Sequence, residues 1–101
     1  MVRVVKIVKT LEASPAQWDG MTDDNRQIYV RYRWGCLTIE LGVAGDMSEY
    51  AAVNGEKILS MKHGGKYQGV MEYSELKELS ASVVEFPDYE DENLDWQINS
   101  L

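Results

Sequence analysis

The chain has 101 residues, a formal net charge of −7 and one cysteine. This length fits a single domain with a modest core, and Cys36 alone excludes an internal disulfide and favours a reducing cytoplasm. The longest apolar runs are too short to cross a bilayer, so the sequence predicts a cytoplasmic protein that does not enter a membrane.

The charge is unevenly distributed along the chain. Residues 1–33 hold six Lys/Arg against four Asp/Glu, whereas residues 71–101 hold one against nine. The last third should therefore attract a basic partner and repel nucleic acid. Direct binding to nucleic acid is not expected, because affinity for phosphate needs a dense cationic surface.

The N-terminal third predicts two strands. Residues 2–11 are rich in β-branched side chains without strict alternation, which favours a strand covered on both faces. Ser14 and Pro15 predict one helical turn. Residues 18–22 then form a short strand, and a turn at Asp24 and Asn25 leads into the next one. With that turn, Trp18 would lie across from Arg31.

Residues 27–43 predict a β-hairpin. Gly35 and Cys36 would form its two-residue loop, since a type II′ turn needs a positive φ at its first position. Pairing outward from that loop gives one apolar face, with Trp34 opposite Leu37. The other pairs on this face are Tyr32 with Ile39, Val30 with Leu41 and Ile28 with Val43. The alternate face would pair Arg33 with Thr38, Arg31 with Glu40 and Tyr29 with Gly42.

Three weaker elements and one helix follow. Residues 48–53 predict a brief helical turn, and residues 57–63 a strand. A second tight hairpin at Gly64 and Gly65 would return along residues 67–71. Ser74 would cap a helix over residues 74–82, with apolar side chains at helical spacing.

Together these elements predict an α+β fold: a small antiparallel, meander-like sheet of about five strands, with one main helix near the C-terminus. Residues 1–87 would form the single domain, and residues 88–101 an acidic C-terminal segment with aromatics. The expected core contains Val5, Ile7, Ile28, Val30, Tyr32, Ile39, Leu41, Ile58, Leu76 and Leu79.

Two groups of residues are candidate binding sites. The acidic segment offers a protein-binding set: Tyr89, Glu90, Asp91, Glu92, Asp95 and Trp96. Carboxylates interleaved with aromatics imitate phosphates and bases, although the same segment could dock on its own domain or stay disordered. The polar hairpin face offers a second set for a nucleotide-like anion: Trp18, Tyr29, Arg31 and Arg33. An ordinary solvated sheet face is the simpler explanation of that second set, because polar faces are common in antiparallel sheets.

Catalysis has little support in the sequence. Cys36 and His63 are the only thiol and imidazole, and no third residue completes a catalytic arrangement. Gly64, Gly65 and Gly69 match neither the P-loop nor the dinucleotide spacing, so a turn explains them better. No cluster of ligands at metal spacing is present. The sequence therefore predicts a non-enzyme without metal or cofactor.

Two stretches of the sequence also carry a resemblance to other proteins. The run Ser-Pro-Ala-Gln-Trp-Asp-Gly at residues 14–20 and Tyr-Val-Arg-Tyr-Arg-Trp-Gly at residues 29–35 resembles short uncharacterised proteins of bacteria and their phages. Residues 69–77 and the pair Phe86–Pro87 are similar to the same group. The resemblance implies a small stand-alone protein, a size class in which inhibitors and adaptors outnumber enzymes.

The predicted function is therefore a non-enzymatic protein-binding module, an inhibitor or decoy of a basic, nucleic-acid-handling partner. The alternative is a small-ligand module that uses the hairpin face. An exposed strand edge is also compatible with a homodimer.

Overall fold

The computed structural model describes residues 1–13, 15–45, 55–65 and 68–91. These ranges contain six strands and one helix. The elements are β1 (Val2–Leu11), β2 (Ala16–Thr22), β3 (Gln27–Arg33), β4 (Cys36–Leu41), β5 (Glu56–Lys62), α1 (Tyr73–Ser80) and β6 (Val84–Glu85).

The strands form one curled sheet in the order β5-β4-β3-β2-β1-β6. The first five are antiparallel neighbours along the chain, which confirms the predicted meander. The wholly antiparallel sheet is wrong, because β6 pairs parallel to β1. The placement of the helix near the C-terminus is also wrong, since α1 precedes β6. A parallel neighbour needs a long crossover, and the chain from β5 to β6 supplies it.

The core lies on one face of this sheet, against α1 and the segments that flank it. Seven of the ten predicted core residues are buried, and Ile58 and Leu79 are partly buried against them. Val5 is the exception at 56% exposed. A β-bulge between Val4 and Lys6 breaks the alternation of β1 there, so the prediction for Val5 is wrong.

The β2–β3 hairpin turns through three residues, 23–25, rather than two. Thr22 and Arg26 close it through backbone and hydroxyl hydrogen bonds, and Asn25 takes a left-handed φ of 63°. A three-residue loop with a left-handed last position is a common hairpin form. It moves the register by one residue, so Trp18 pairs with Val30 and not with Arg31.

The β3–β4 hairpin also turns one residue earlier than predicted. Trp34 and Gly35 form its loop with φ values of 54° and 68°, the two positive angles of a type I′ turn. Tyr32 therefore pairs with Leu37, and Arg31 pairs with Thr38 instead of Glu40. The pairing moves by two residues, so the side chains that remain within the two strands keep their predicted faces. The predictions for Trp34 and Val43 are wrong, since both lie outside the strands and are exposed.

Three smaller predictions also have a definite outcome. Ala16 is already in β2, so the helical turn at Pro15 is wrong. Helix α1 starts at Tyr73, so Ser74 lies inside the helix. The prediction that Ser74 caps it is wrong. No returning strand follows Gly65 among the described residues, where Val70 makes a single bridge to Ala13. The predicted turn over residues 48–53 lies outside the described ranges.

Candidate protein interface

The chain after β6 continues alongside β1. Asp91 is held through both its backbone and its side chain by one residue of β1: its amide donates to the Ile7 carbonyl at 2.7 Å, and its Oδ2 accepts from the Ile7 amide at 2.8 Å. Asp91 also forms a parallel β-bridge with Val8, which has the same orientation as the pairing of β1 with β6. We call residues 87–91 the docked segment, because these bonds fix it on the sheet.

Glu90 of the docked segment bonds to the core. Its Oε2 accepts a hydrogen bond of 2.7 Å from Nε1 of Trp18, whose side chain is 0% exposed. On the same ring, Lys9 Nζ lies 5.0 Å from the centroid and donates to the Met71 carbonyl at 2.9 Å. A buried indole N–H needs an acceptor, and Glu90 supplies it.

Helix α1 packs beside the docked segment through Tyr73. Its hydroxyl donates to the Pro87 carbonyl at 2.6 Å, and its ring meets Phe86 edge-on. Burial raises the pKa of Tyr73, and the negative charges of Glu90, Asp91 and Asp88 raise it further. Three carboxylates therefore lie close enough to act on one phenol, which marks a local region of negative potential.

This region extends over the surface around α1 and β6. Among the described acidic residues after position 70, only Glu75 is half-buried, and the other six are exposed. We call these six, together with Tyr89 at 85% exposed, the acidic surface. Its carboxylates are Glu72, Glu78, Glu85, Asp88, Glu90 and Asp91.

The structure divides the six predicted partner-binding residues into three groups. Glu90 and Asp91 bond to their own domain, which corresponds to the docking alternative. Tyr89 lies beside them in the docked segment with an exposed ring. Glu92, Asp95 and Trp96 lie outside the described residues.

The predicted ligand-binding face keeps three of its four members. Tyr29, Arg31 and Arg33 alternate along β3 on the side of the sheet away from the core. Arg31 Nε is buried without a hydrogen-bond partner, and the Arg33 guanidinium stacks 4.1 Å from the Trp34 ring centroid. Trp18 belongs to the opposite, core face, so the predicted contact between its ring and Arg31 is wrong.

Cys36 and His63 do not come together as a catalytic pair. Cys36 pairs with Lys62 on the outer face, whereas His63 Nε2 lies 2.7 Å from Oε2 of Glu75 on α1. The His63 ring also faces Tyr32 of the core at 6.4 Å. In the part of the chain that the structure describes, no three His, Cys, Asp or Glu residues are placed to hold a metal ion.

Sequence reasoning missed the role of Trp18 and the strand that leads to the docked segment. The buried alternation of Ala16 with Trp18 in β2, and of Val84 with Phe86 around β6, is the signal that could have indicated both. No helix in the described ranges is long and apolar enough to cross a membrane. No protein-family model, curated protein or solved structure matches the chain.

Proposed function

We propose that this chain is a non-enzymatic protein-binding module, an inhibitor or decoy whose acidic surface binds a basic, nucleic-acid-handling protein. The observations that carry the proposal are the exposed carboxylates at α1, on β6 and in the docked segment, together with the exposed ring of Tyr89 in that segment. Such a surface steers a cationic partner and penalises partners of like charge.

The bonds of the docked segment support this proposal. Glu90 and Asp91 are fixed on β1 and Trp18, so the segment presents its outer groups without a large loss of chain entropy on binding. Tyr89 is the natural anchor of such an interface, because tyrosine supplies a large rigid ring with one polar end. Asp88 and Glu90 flank Tyr89 in the sequence. This arrangement of an aromatic ring between two negative charges resembles a nucleotide base between two phosphates.

The test separates charge from fold. Glu90 and Asp91 are poor sites for substitution, because each also bonds to the domain. Glu78 on α1 is exposed and has no ion pair among the described residues. Tagged protein carrying Glu78→Lys and Tyr89→Ala should capture less of its basic partner from bacterial lysate, and the captured proteins should be identified at low and high salt.

The matched control is Glu56→Lys, an equal charge change on the exposed edge strand β5. It should leave capture unchanged, and added double-stranded DNA should compete with the wild-type protein for the partner. An equal loss of capture in both variants would mean that net charge alone, and not the acidic surface, determines binding of the partner. Full capture by the Glu78→Lys, Tyr89→Ala protein would contradict the proposal.

A second candidate function uses the outer face of β3. Arg31 Nε is buried and unpaired in the described structure, which is costly for a charged donor unless a ligand or water supplies an acceptor. Tyr29 lies beside it at the next alternate position. We propose as the alternative that this face binds a planar anion of the nucleotide type.

Thermal unfolding with a panel of nucleoside mono-, di- and triphosphates tests the alternative. A ligand should raise the Tm of the wild-type protein, and Arg31→Ala should abolish the shift. Lys57→Ala, a cation on strand β5, is the control and should keep it. A flat response across the panel would contradict the alternative.

A further inference from the structure

A cavity of about 490 Å³ opens at the end of the sheet where β1 begins, β4 ends and β5 begins. It lies at the sheet end away from the β3–β4 turn, next to the loop that joins α1 to β6. Its volume falls within the range of pockets that bind small molecules. None of the residues assigned above to the acidic surface or the hairpin face lines it.

Part of the cavity lining is apolar. Four aliphatic side chains line it: Val2, Leu41, Ile58 and Val83. Leu41 belongs to the core, and the other three pack against the core while keeping part of their surface open. Among the described strands, β5 and β6 are the two edges of the curled sheet and do not pair with each other, so the cavity reaches the edge of the core. Such a wall favours the aliphatic groups of a ligand.

The charged part of the lining consists of two guanidinium and two carboxylate groups: Arg3, Asp23, Asp24 and Arg26. Asp24 lies 3.0 Å from Arg26 Nε, and a hydrogen bond from Thr22 holds its pKa below the usual range. Arg3 bonds to Glu85 at 2.6 Å. Both pairs lie at the surface, with 63% of the Arg3 side chain and 38% of the Arg26 side chain exposed. Ion pairs at the surface contribute little to stability, so ligand groups can replace them.

We propose that this cavity binds a small zwitterion with aliphatic side chains, such as a short apolar peptide with free termini. Its carboxylate meets the guanidinium groups of Arg3 and Arg26, and its ammonium group meets Asp23. The aliphatic side chains cover Ile58 and Val83. When the carboxylate of the ligand displaces Asp24 from Arg26, Asp24 loses its cation and the ammonium group of the ligand replaces it, so both termini contribute to binding.

Three matched probes test the proposal with the full chain. Leucyl-leucine is the zwitterion, N-acetyl-leucyl-leucine keeps only the carboxylate, and leucyl-leucine amide keeps only the ammonium group. Titrations followed by ¹⁵N-resolved NMR should shift the amides of Val2, Asp23 and Ile58. Blocking either terminus should weaken the affinity about tenfold or more, the effect of losing one charged hydrogen bond.

Ser82→Trp provides an independent arm, because Ser82 is exposed and lines the cavity. The indole should occupy the cavity and remove binding of leucyl-leucine, whereas Ser60→Trp on the exposed surface of β5 should retain it. Equal affinity for a blocked peptide, unchanged binding by Ser82→Trp, or no saturable shift up to about 10 mM would each overturn the proposal. None of these outcomes involves the acidic surface, so the two proposals fail separately.

Discussion

At the scale of single residues, Glu90 is the surface carboxylate whose removal should destabilise the core. Its Oε2 is the acceptor for the buried Trp18 indole. Glu90→Ala should lower the free energy of unfolding by about 1–3 kcal/mol, because the N–H would remain buried without an acceptor. Glu90→Gln keeps an oxygen in place and should cost less than half as much. Urea unfolding measures both, and equal losses would contradict the role of the hydrogen bond.

Gly35 makes the sharpest prediction about backbone conformation. Its φ is +68°, and a Cβ there would lie 2.9 Å from the Gly65 carbonyl carbon and closer still to the oxygen. Gly45 has a similar φ of +82° but open space around the same position. Gly45→Ala should cost about 1–2 kcal/mol from conformation alone, and Gly35→Ala at least about 1 kcal/mol more. Urea unfolding of the two variants isolates the steric contribution.

At the scale of elements, the sequence predicted which residues share a face better than which residues pair. Tyr29, Arg31 and Arg33 share their predicted face because the hairpin register moved by two, an even number. Trp18 changed face because the β2–β3 register moved by one. A three-residue loop and a two-residue loop look alike in a sequence with Asp23, Asp24 and Asn25.

The turn at Trp34 could not be predicted from local preference, since a bulky residue rarely takes a positive φ. Contacts from a distant loop select it: the Gly35 amide donates to the Gln68 carbonyl, and the Gly35 carbonyl accepts from the His63 amide, both at 2.8 Å. Strand β6 was missed for a related reason. It has two residues, and only its pairing with β1 makes it a strand.

The docked segment makes a prediction for the element as a whole. A chain ending at Phe86 should be less stable than a chain ending at Asp91 by at least about 2 kcal/mol, because Trp18 and both backbone groups of Ile7 lose partners. Hydrogen exchange should show the Ile7 amide losing protection. Equal stability of the two chains would mean that the docked segment adds nothing to the fold.

That expectation also decides how the acidic surface must be probed. Removal of the whole C-terminal segment would disturb Trp18 and β1 along with the charges, so lost capture by a truncated chain would not identify an interface. Substitution at Glu78, which is exposed on α1, changes the charge while leaving these bonds intact. The structure thus favours a point-charge experiment over a deletion experiment.

At the scale of the whole molecule, the topology predicts which contacts form early in folding and which form late. Strands β2 to β4 pair with their neighbours along the chain, whereas β6 joins β1 across more than 80 residues of sequence. Bringing β6 to β1 closes a long loop, and the entropy of closure is lost before any contact between the two strands forms. We therefore expect the meander to form first and β6, with the docked segment, to join after the main barrier.

Two identical substitutions at buried positions test this order. Val30→Ala in β3 and Val84→Ala in β6 each remove the same atoms from sites 0% and 2% exposed. Each should lower the free energy of unfolding by about 1–3 kcal/mol. A change of about 1.4 kcal/mol in a barrier changes the corresponding rate about tenfold. Val30→Ala should mainly slow folding and Val84→Ala mainly speed unfolding in stopped-flow urea experiments. Slower folding of the Val84→Ala protein would instead place the parallel β1–β6 pair in the folding nucleus, and the two ends of the chain would then meet before the sheet is complete.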